Sequence, residues 1–219
     1  VDYPARVIAR CRHHGLSPWI SLRMNDTHNN NEVRHPIHSN FWKEHPEYWR
    51  VQGRRIDYYD RTLDYSHQEV RDRFWRLIEE VLQRYDMDGL ELDFMREPYL
   101  FKPGHEQEGG KILTEWLQQV RKLVEQTASR RGRAIKMGVR VPANPVTAQN
   151  LGLDAVHWAE QGLVALIVVT PRWAPMDTQM PLMQRKRLLA AYPVTLAGGL
   201  AIRDQAYPDA PARVALPTT

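Results

Sequence analysis

Cysteine is nearly absent from this 219-residue sequence, where Cys11 stands alone. A single thiol excludes an internal disulfide framework and any zinc or redox site of the CxxC type. Long apolar runs are missing as well. The longest, Leu163 to Val169, is far shorter than the ~20 residues that cross a bilayer. No charged segment followed by an apolar one opens the chain, so neither a membrane span nor an export signal is expected within it. There is no GxSxG elbow for a serine hydrolase, and Gly104 to Lys111 lacks the spacing and the terminal Ser/Thr of a phosphate-binding loop. A strong charge imbalance is also lacking. Thirty Lys+Arg stand against 26 Asp+Glu, a net charge of +4, and the basic residues are scattered, so nucleic acid is not an expected partner.

What is present is the mix of an ordinary globular protein, 42% hydrophobic and 26% charged. Residues 1–219 are expected to form one domain. The hydrophobic period switches repeatedly along it. Ser66 and Glu69 read as a capping box, and Val70, Phe74, Leu77, Ile78, Val81 and Leu82 recur at helical spacing, predicting a helix over 67–85. A second helix is expected over 110–129, a short one capped by Asp154, another over 181–192, and a first one over 4–14. Five strands are expected between them, at 18–24, 90–96, 135–141, 163–170 and 194–202.

Strands alternating with helices mean a parallel sheet. Splitting the strands by their period of two puts Ile20, Leu22 and Met24 opposite Ser21, Arg23 and Asn25. The second strand divides into Leu90, Leu92 and Phe94 against Glu91, Asp93 and Met95, and the third into Met137, Val139 and Val141 against Lys136, Gly138 and Arg140. One face is apolar and the other charged. A doubly wound sheet, covered by helices on both faces, would be apolar on both, whereas a (β/α)₈ barrel has an inner face that can turn polar toward its C-terminal mouth. The expectation is therefore a partial TIM-type barrel of about five units, short of the ~250 residues of a full one and lacking its first strands.

The inner faces gather Arg23, Glu91, Asp93, Lys136 and Arg140. Glu91 can be a buried partner of these cations; Asp93, at the C-terminal end of its strand, stands where barrel enzymes keep catalytic groups. Glycoside hydrolysis takes two carboxylates, one protonating the leaving oxygen and one acting as nucleophile or base. Asp93 is one of the pair, in a role left open, and Glu91, Asp26, Glu97 or a group from another strand is open as its partner. The 25–63 segment follows a strand on the mouth side and is too long for a plain connection. It carries His28, Trp42, Tyr48, Trp49, Tyr58 and Tyr59, and flat rings with polar handles suit sugars. The sugar-binding candidates are Arg23, Asn25, Asp26, His28, Trp42, Arg96, Tyr99, Arg140 and Trp173. His35 and His38 lack the HExxH pattern and cysteine partners, so no metal is expected. The Asn25-Asp26-Thr27 sequon is read as part of the site. Trp75, Trp116 and Trp158 lie on helical faces and belong to the core.

"HPEYW" at 45–49 and "LDYSHQEVRDRFWRLIEEVLQRYDMDGLELDFMREP" at 63–98 resemble the glycosyl hydrolase-like 10 family of bacterial (β/α)₈ barrels. Gln68-Glu69-Val70-Arg71, Arg84-Tyr85-Asp86, Asp88-Gly89-Leu90, Asp93 and Arg96-Glu97-Pro98 stand at the places of that family's phrases. The family often carries a double aspartate where this chain has Asp93-Phe94. The resemblance implies a glycosidase acting on polysaccharide or peptidoglycan strands, without an organic cofactor, and a secreted or periplasmic location. The inward arginines suggest an anionic glycan, because guanidinium pairs bidentately with carboxylate or sulfate. The alternative is a non-catalytic carbohydrate-binding barrel in which the carboxylates only balance charge.

Overall fold

The computed structural model describes residues 2–53, 57–95, 97–171 and 180–200, and the backbone of 203–204 and 213–214. The candidates Arg96 and Trp173 lie outside the described residues, as do positions 201 and 202 of the expected fifth strand. Five strands form one parallel sheet in the order of the chain: β1 (Trp19–Arg23), β2 (Gly89–Asp93), β3 (Lys136–Pro142), β4 (Leu166–Thr170) and β5 (Thr195–Gly198). Around them run α1 (Tyr3–His13), α2 (Asn40–Glu44), α3 (Gln68–Arg84), α4 (Glu106–Arg131), α5 (Pro145–Asn150), α6 (Ala155–Glu160) and α7 (Leu182–Leu188). Two short segments, β6 (Arg203–Asp204) and β7 (Arg213–Val214), pair antiparallel.

Strand order and face chemistry together assign the architecture. A doubly wound sheet reverses its order at a switch point; this one does not. Leu90, Leu92, Met137, Val139, Val141, Ile167 and Val169 are fully buried on one face, packed with the stripes Val70, Phe74, Ile78 of α3 and Leu113, Leu117, Val120 of α4. The other face carries Ser21, Arg23 and Lys136 exposed and Arg140 half-buried. Helices thus cover one side only, and the fold is an α/β sheet of five consecutive barrel-type units.

The expected elements are present with shifted ends. The 67–85 helix starts without its capping box: the first cap is His67, with no side-chain bond to the helix. Asp64 instead accepts the Ser66 N–H at 2.8 Å and turns the chain before the helix begins. Strand β2 stops at Asp93, short of the expected Arg96, because the Asp93 Oδ1 accepts the Met95 N–H at 2.9 Å and bends the backbone. Helix α4 takes in the Gly-containing stretch from Glu106 onward, and Gly132 closes it in the left-handed region at φ 67°. Leu163 and Val164 are buried in the turn ahead of β4 and take no part in the strand. Trp116 and Trp158 are core residues, at 3% and 0% exposure.

Candidate active site

Because paired residues of a parallel sheet share a face, the register stacks the concave side in rows. Trp19, Gly89 and Lys136 form the lowest; Ser21, Glu91 and Gly138 the next; Arg23, Asp93 and Arg140 the row nearest the C-terminal ends of the strands. Trp19 fills the floor. A Cβ at Gly89 would lie 2.2 Å from the Trp19 ring and one at Gly138 3.0 Å from it, so both strands need glycine where the indole crosses them.

Above this floor Arg140 grips Glu91 with two bonds, Nε to Oε1 and Nη2 to Oε2, each 3.1 Å. Its Nε also lies 3.7 Å from the Asp93 Oδ1. The three side chains differ in access to water: 7% exposed for Glu91, 18% for Asp93 and 34% for Arg140. Glu91 is therefore held in a fixed pair with both oxygens engaged, while Asp93 has the freer carboxylate. Burial pushes the Asp93 carboxyl above the usual carboxylate range, and the Glu91 charge adds to the rise; the Met95 N–H, Arg140 and Arg23 oppose it without cancelling it.

Asp26 follows β1 and behaves in the opposite sense. Burial works to raise its carboxyl, but the His28 N–H at 2.9 Å and the His28 ring, with Arg23 in range, hold it below the usual range. Arg23 and Asp26 thus share the C-terminal end of β1, and Arg23 stands in register with Asp93 on β2.

Asn25 and Trp42 line a cleft with Arg23, Asp26 and His28, but their polar groups are engaged within the protein. Asn25 is buried and fully engaged: its Nδ2 donates to the Leu63 and Tyr99 carbonyls at 3.2 and 3.3 Å, and its Oδ1 accepts the Leu63 and Asp26 N–H groups at 3.1 Å each. It closes the 25–63 segment at both ends and has no group left for a sugar. Trp42 is 6% exposed, stacked on His38 at 4.0 Å and packed on Trp49 at 4.8 Å, with its N–H on the Arg61 carbonyl at 2.8 Å. It is the core of the segment, not an open platform. Tyr99 packs between Tyr59, at 4.3 Å, and the Arg50 guanidinium, at 4.9 Å. Glu97 is 1% exposed in the connection after β2. Among the described residues no group of three or more His, Cys, Asp or Glu could hold a metal ion, and no helix is long and apolar enough to cross a membrane.

The structure adds residues that sequence reasoning passed over. Trp19 alternates onto the same face as Ser21 and Arg23, and its role as a floor becomes visible only through the glycines of the next two strands. Arg73 and Arg76 of α3 line a cleft with Arg23. Acids at helical spacing, Glu69, Asp72 and Glu80, suggest in the sequence that these cations are neutralised. In the structure Asp72 accepts from Gln68 and Glu80 from Arg84, each at 2.6 Å.

No protein-family model matches the chain, and no curated relative matches it. Among solved structures it is similar to the α-galactosidase of Thermus thermophilus, with 16% identity, a TM-score of 0.47, and coverage of 90% of this chain and 36% of that one. It is likewise similar to the glycoside hydrolase domain of PelA from Pseudomonas aeruginosa, with 14% identity, a TM-score of 0.45 and coverage of 90% and 83%. A family GH18 chitinase from Chromobacterium violaceum follows, with 18% identity, a TM-score of 0.44 and 75% of this chain covered. The chain spans only 24% of that chitinase's length. At these identities and scores the likeness carries no argument about activity, and the fold assignment rests on the strand order itself.

Proposed function

We infer that the protein is a glycoside hydrolase working through carboxylates at the C-terminal ends of its strands. The observation that carries this reading is the opposed tuning of two acids at the C-terminal ends of adjacent strands, both within range of Arg23: Asp93 is raised by burial and Asp26 is lowered by His28 and Arg23. Pairs of titratable groups pushed apart in this way mark an acid and its ionised partner. Asp93 would donate a proton to the glycosidic oxygen as the bond to the anomeric carbon breaks. Asp26, ionised, would attack that carbon or take a proton from the attacking water. Glu91, gripped by Arg140, is a positioning residue in this scheme: it holds the guanidinium beside Asp93 and supplies a like charge that adds to the rise of the Asp93 carboxyl.

The resemblance to the glycosyl hydrolase-like 10 family supports the same assignment, since Asp93 stands at that family's acidic strand end. It also suggests a polysaccharide or peptidoglycan strand as substrate and a secreted or periplasmic location. One feature favours a second reading, a carbohydrate-binding barrel without catalysis: Glu91 and Arg140 already form a charge-balanced pair, with Asp93 3.7 Å from the same guanidinium. The two separate on reducing-end release from a broad glycan panel. The enzyme is expected to release sugar ends, and Asp93→Asn is expected to lower the rate at least about 10²-fold, the contribution of a general acid, with glycan affinity retained. Asp26→Asn should give a comparable loss. Binding without release from any glycan would leave the non-catalytic reading.

A further inference from the structure

A cleft of about 460 Å³ runs between α3 and the segment that follows β1, within the ~300–1,000 Å³ of small-molecule sites. It meets the carboxylate site at Arg23, which stands in register with Asp93. Its lining is cationic. Arg23, Arg73 and Arg76 all face it, and none has a carboxylate oxygen within 4.0 Å among the described residues. The two acids of the lining are occupied, Glu80 by Arg84 at 2.6 Å and Asp26 by His28. Arg76 reaches only the Asp72 carbonyl, at 3.3 Å, and the Arg73 guanidinium lies over the Phe41 ring at 4.9 Å. Burial and the neighbouring Arg76 charge both hold Arg73 below the usual guanidinium range. Two like charges are thus held together without a counter-ion, a repulsion that a bound anion would relieve. Arg140 differs, because Glu91 already neutralises it.

Beside the arginines the lining is mixed: Leu63, Phe74 and Leu77 form an apolar wall, and Asn25, His28, His38 and Ser39 add neutral polar groups. A small anion alone would leave that wall uncovered, and a nucleic-acid backbone calls for a stripe of cations rather than one pocket. We propose that the cleft is a subsite for acidic sugar units of a carboxylated glycan, with Arg23, Arg73 and Arg76 binding carboxylates and the Leu63–Phe74–Leu77 wall taking the apolar faces of the rings. This rests on the glycosidase reading and extends it: Arg23 links the cleft to Asp93, so one chain would lie across both.

The test is titration calorimetry of the protein with tetragalacturonate and with its methyl ester, with a polyglutamate peptide and single-stranded DNA as further probes. Tetragalacturonate is expected to bind at least about 10-fold tighter than the ester, since charge-assisted bonds are the strong ones. Arg73→Gln with Arg76→Gln should lose about 10-fold or more for the acid, through two charged hydrogen bonds, with the ester unchanged. Arg73→Lys with Arg76→Lys should keep most of the preference and guards against a folding effect, as do the melting temperatures of both double variants. Equal affinity for acid and ester would overturn the proposal. So would an unaffected Gln variant, or tighter arginine-dependent binding of polyglutamate or DNA. Reducing-end assays separate the two levels. Hydrolysis without preference for acidic glycans keeps the enzyme and overturns the subsite; acid-dependent binding without hydrolysis keeps the subsite and overturns the enzyme.

Discussion

Arg140→Met removes the guanidinium that Glu91 depends on. The Glu91 side chain is 7% exposed and both its oxygens accept from Arg140, so the variant leaves a carboxylate buried without its counter-charge. Breaking a buried pair by deleting one partner costs about 3–5 kcal/mol. Here water reaches a third of the arginine side chain, at 34% exposure. Solvent screening of that side reduces the expected cost to about 2–3 kcal/mol, or about 5–10 °C in melting temperature for a chain of this size. Urea denaturation at neutral pH measures it. Glu91→Gln in the Arg140→Met background removes the stranded charge and should recover at least half of the loss. A second readout follows from Asp93. Arg140 lowers the Asp93 carboxyl, so its removal should raise that carboxyl further and carry the basic limb of the pH–rate profile to higher pH. Because the folded-state value of Asp93 already lies above its unfolded one, Asp93 contributes stability below the ordinary carboxylate range that is lost as pH rises through the raised value. In the variant that window should extend upward. If Arg140→Met costs no more than Lys136→Met on the same strand, or if Glu91→Gln recovers nothing, the pair is not what holds this row together.

Asp93→Asn, expected to be inactive, should melt no lower than the parent at neutral pH, because the burial of a charged carboxylate is removed; that advantage should shrink as pH falls and the parent Asp93 protonates. A large loss of stability at neutral pH would instead make Asp93 a structural partner of Arg140. Gly89→Ala places a Cβ 2.2 to 2.5 Å from three Trp19 ring atoms and should destabilise by about 1–3 kcal/mol, as overpacking does. Trp19→Val in the same chain should restore part of it. Asn25→Ala deletes the four bonds that close the 25–63 segment. Limited proteolysis should then cut within that segment faster, with about 1–3 kcal/mol lost through unpaired buried backbone groups; an unchanged cutting rate would show that the aromatic packing alone closes it.

Period-two alternation was enough to divide the strands into faces, because a parallel sheet with helices on one side sorts its residues by that period alone. What it could not show was pairing. Lys136 and Arg140 alternate onto the same face, yet only Arg140 reaches Glu91, because the register sets it one row above Gly138, the residue opposite Glu91. Lys136, a row below, remains exposed. The aromatic segment is ambiguous in sequence for a related reason. Trp42 and Trp49 sit in a stretch without periodicity, and a ring offered to a sugar has the same sequence signature as a ring that packs the loop. Only the His38–Trp42–Trp49 stack and the bond to the Arg61 carbonyl decide it.

The stretch from Arg84 to Asp93 shows how one strand divides its acids between two tasks. Asp86 and Asp88 precede β2 and lie at its N-terminal end, where Arg133 binds both and Arg12 reaches Asp88 at 2.6 Å. Arg12 also donates to the Asp86 carbonyl at 2.8 Å. These contacts tie α1 and the turn after α4 to the start of β2, and the Arg133 bonds hold both carboxylates below the usual range, against burial, which works to raise Asp88. Asp93, five residues beyond Asp88, has the reverse environment: no guanidinium within hydrogen-bond reach among the described residues, deeper burial, and the Glu91 charge in range. Two acids held below the usual carboxylate range at the N-terminal end and one raised above it at the C-terminal end is the polarity expected of a barrel strand, with stability at the N-terminal face and chemistry at the C-terminal one. The motif that resembles a glycosidase therefore serves mostly to hold the sheet, and Asp93 is the part of it to which the proposed function gives a chemical role.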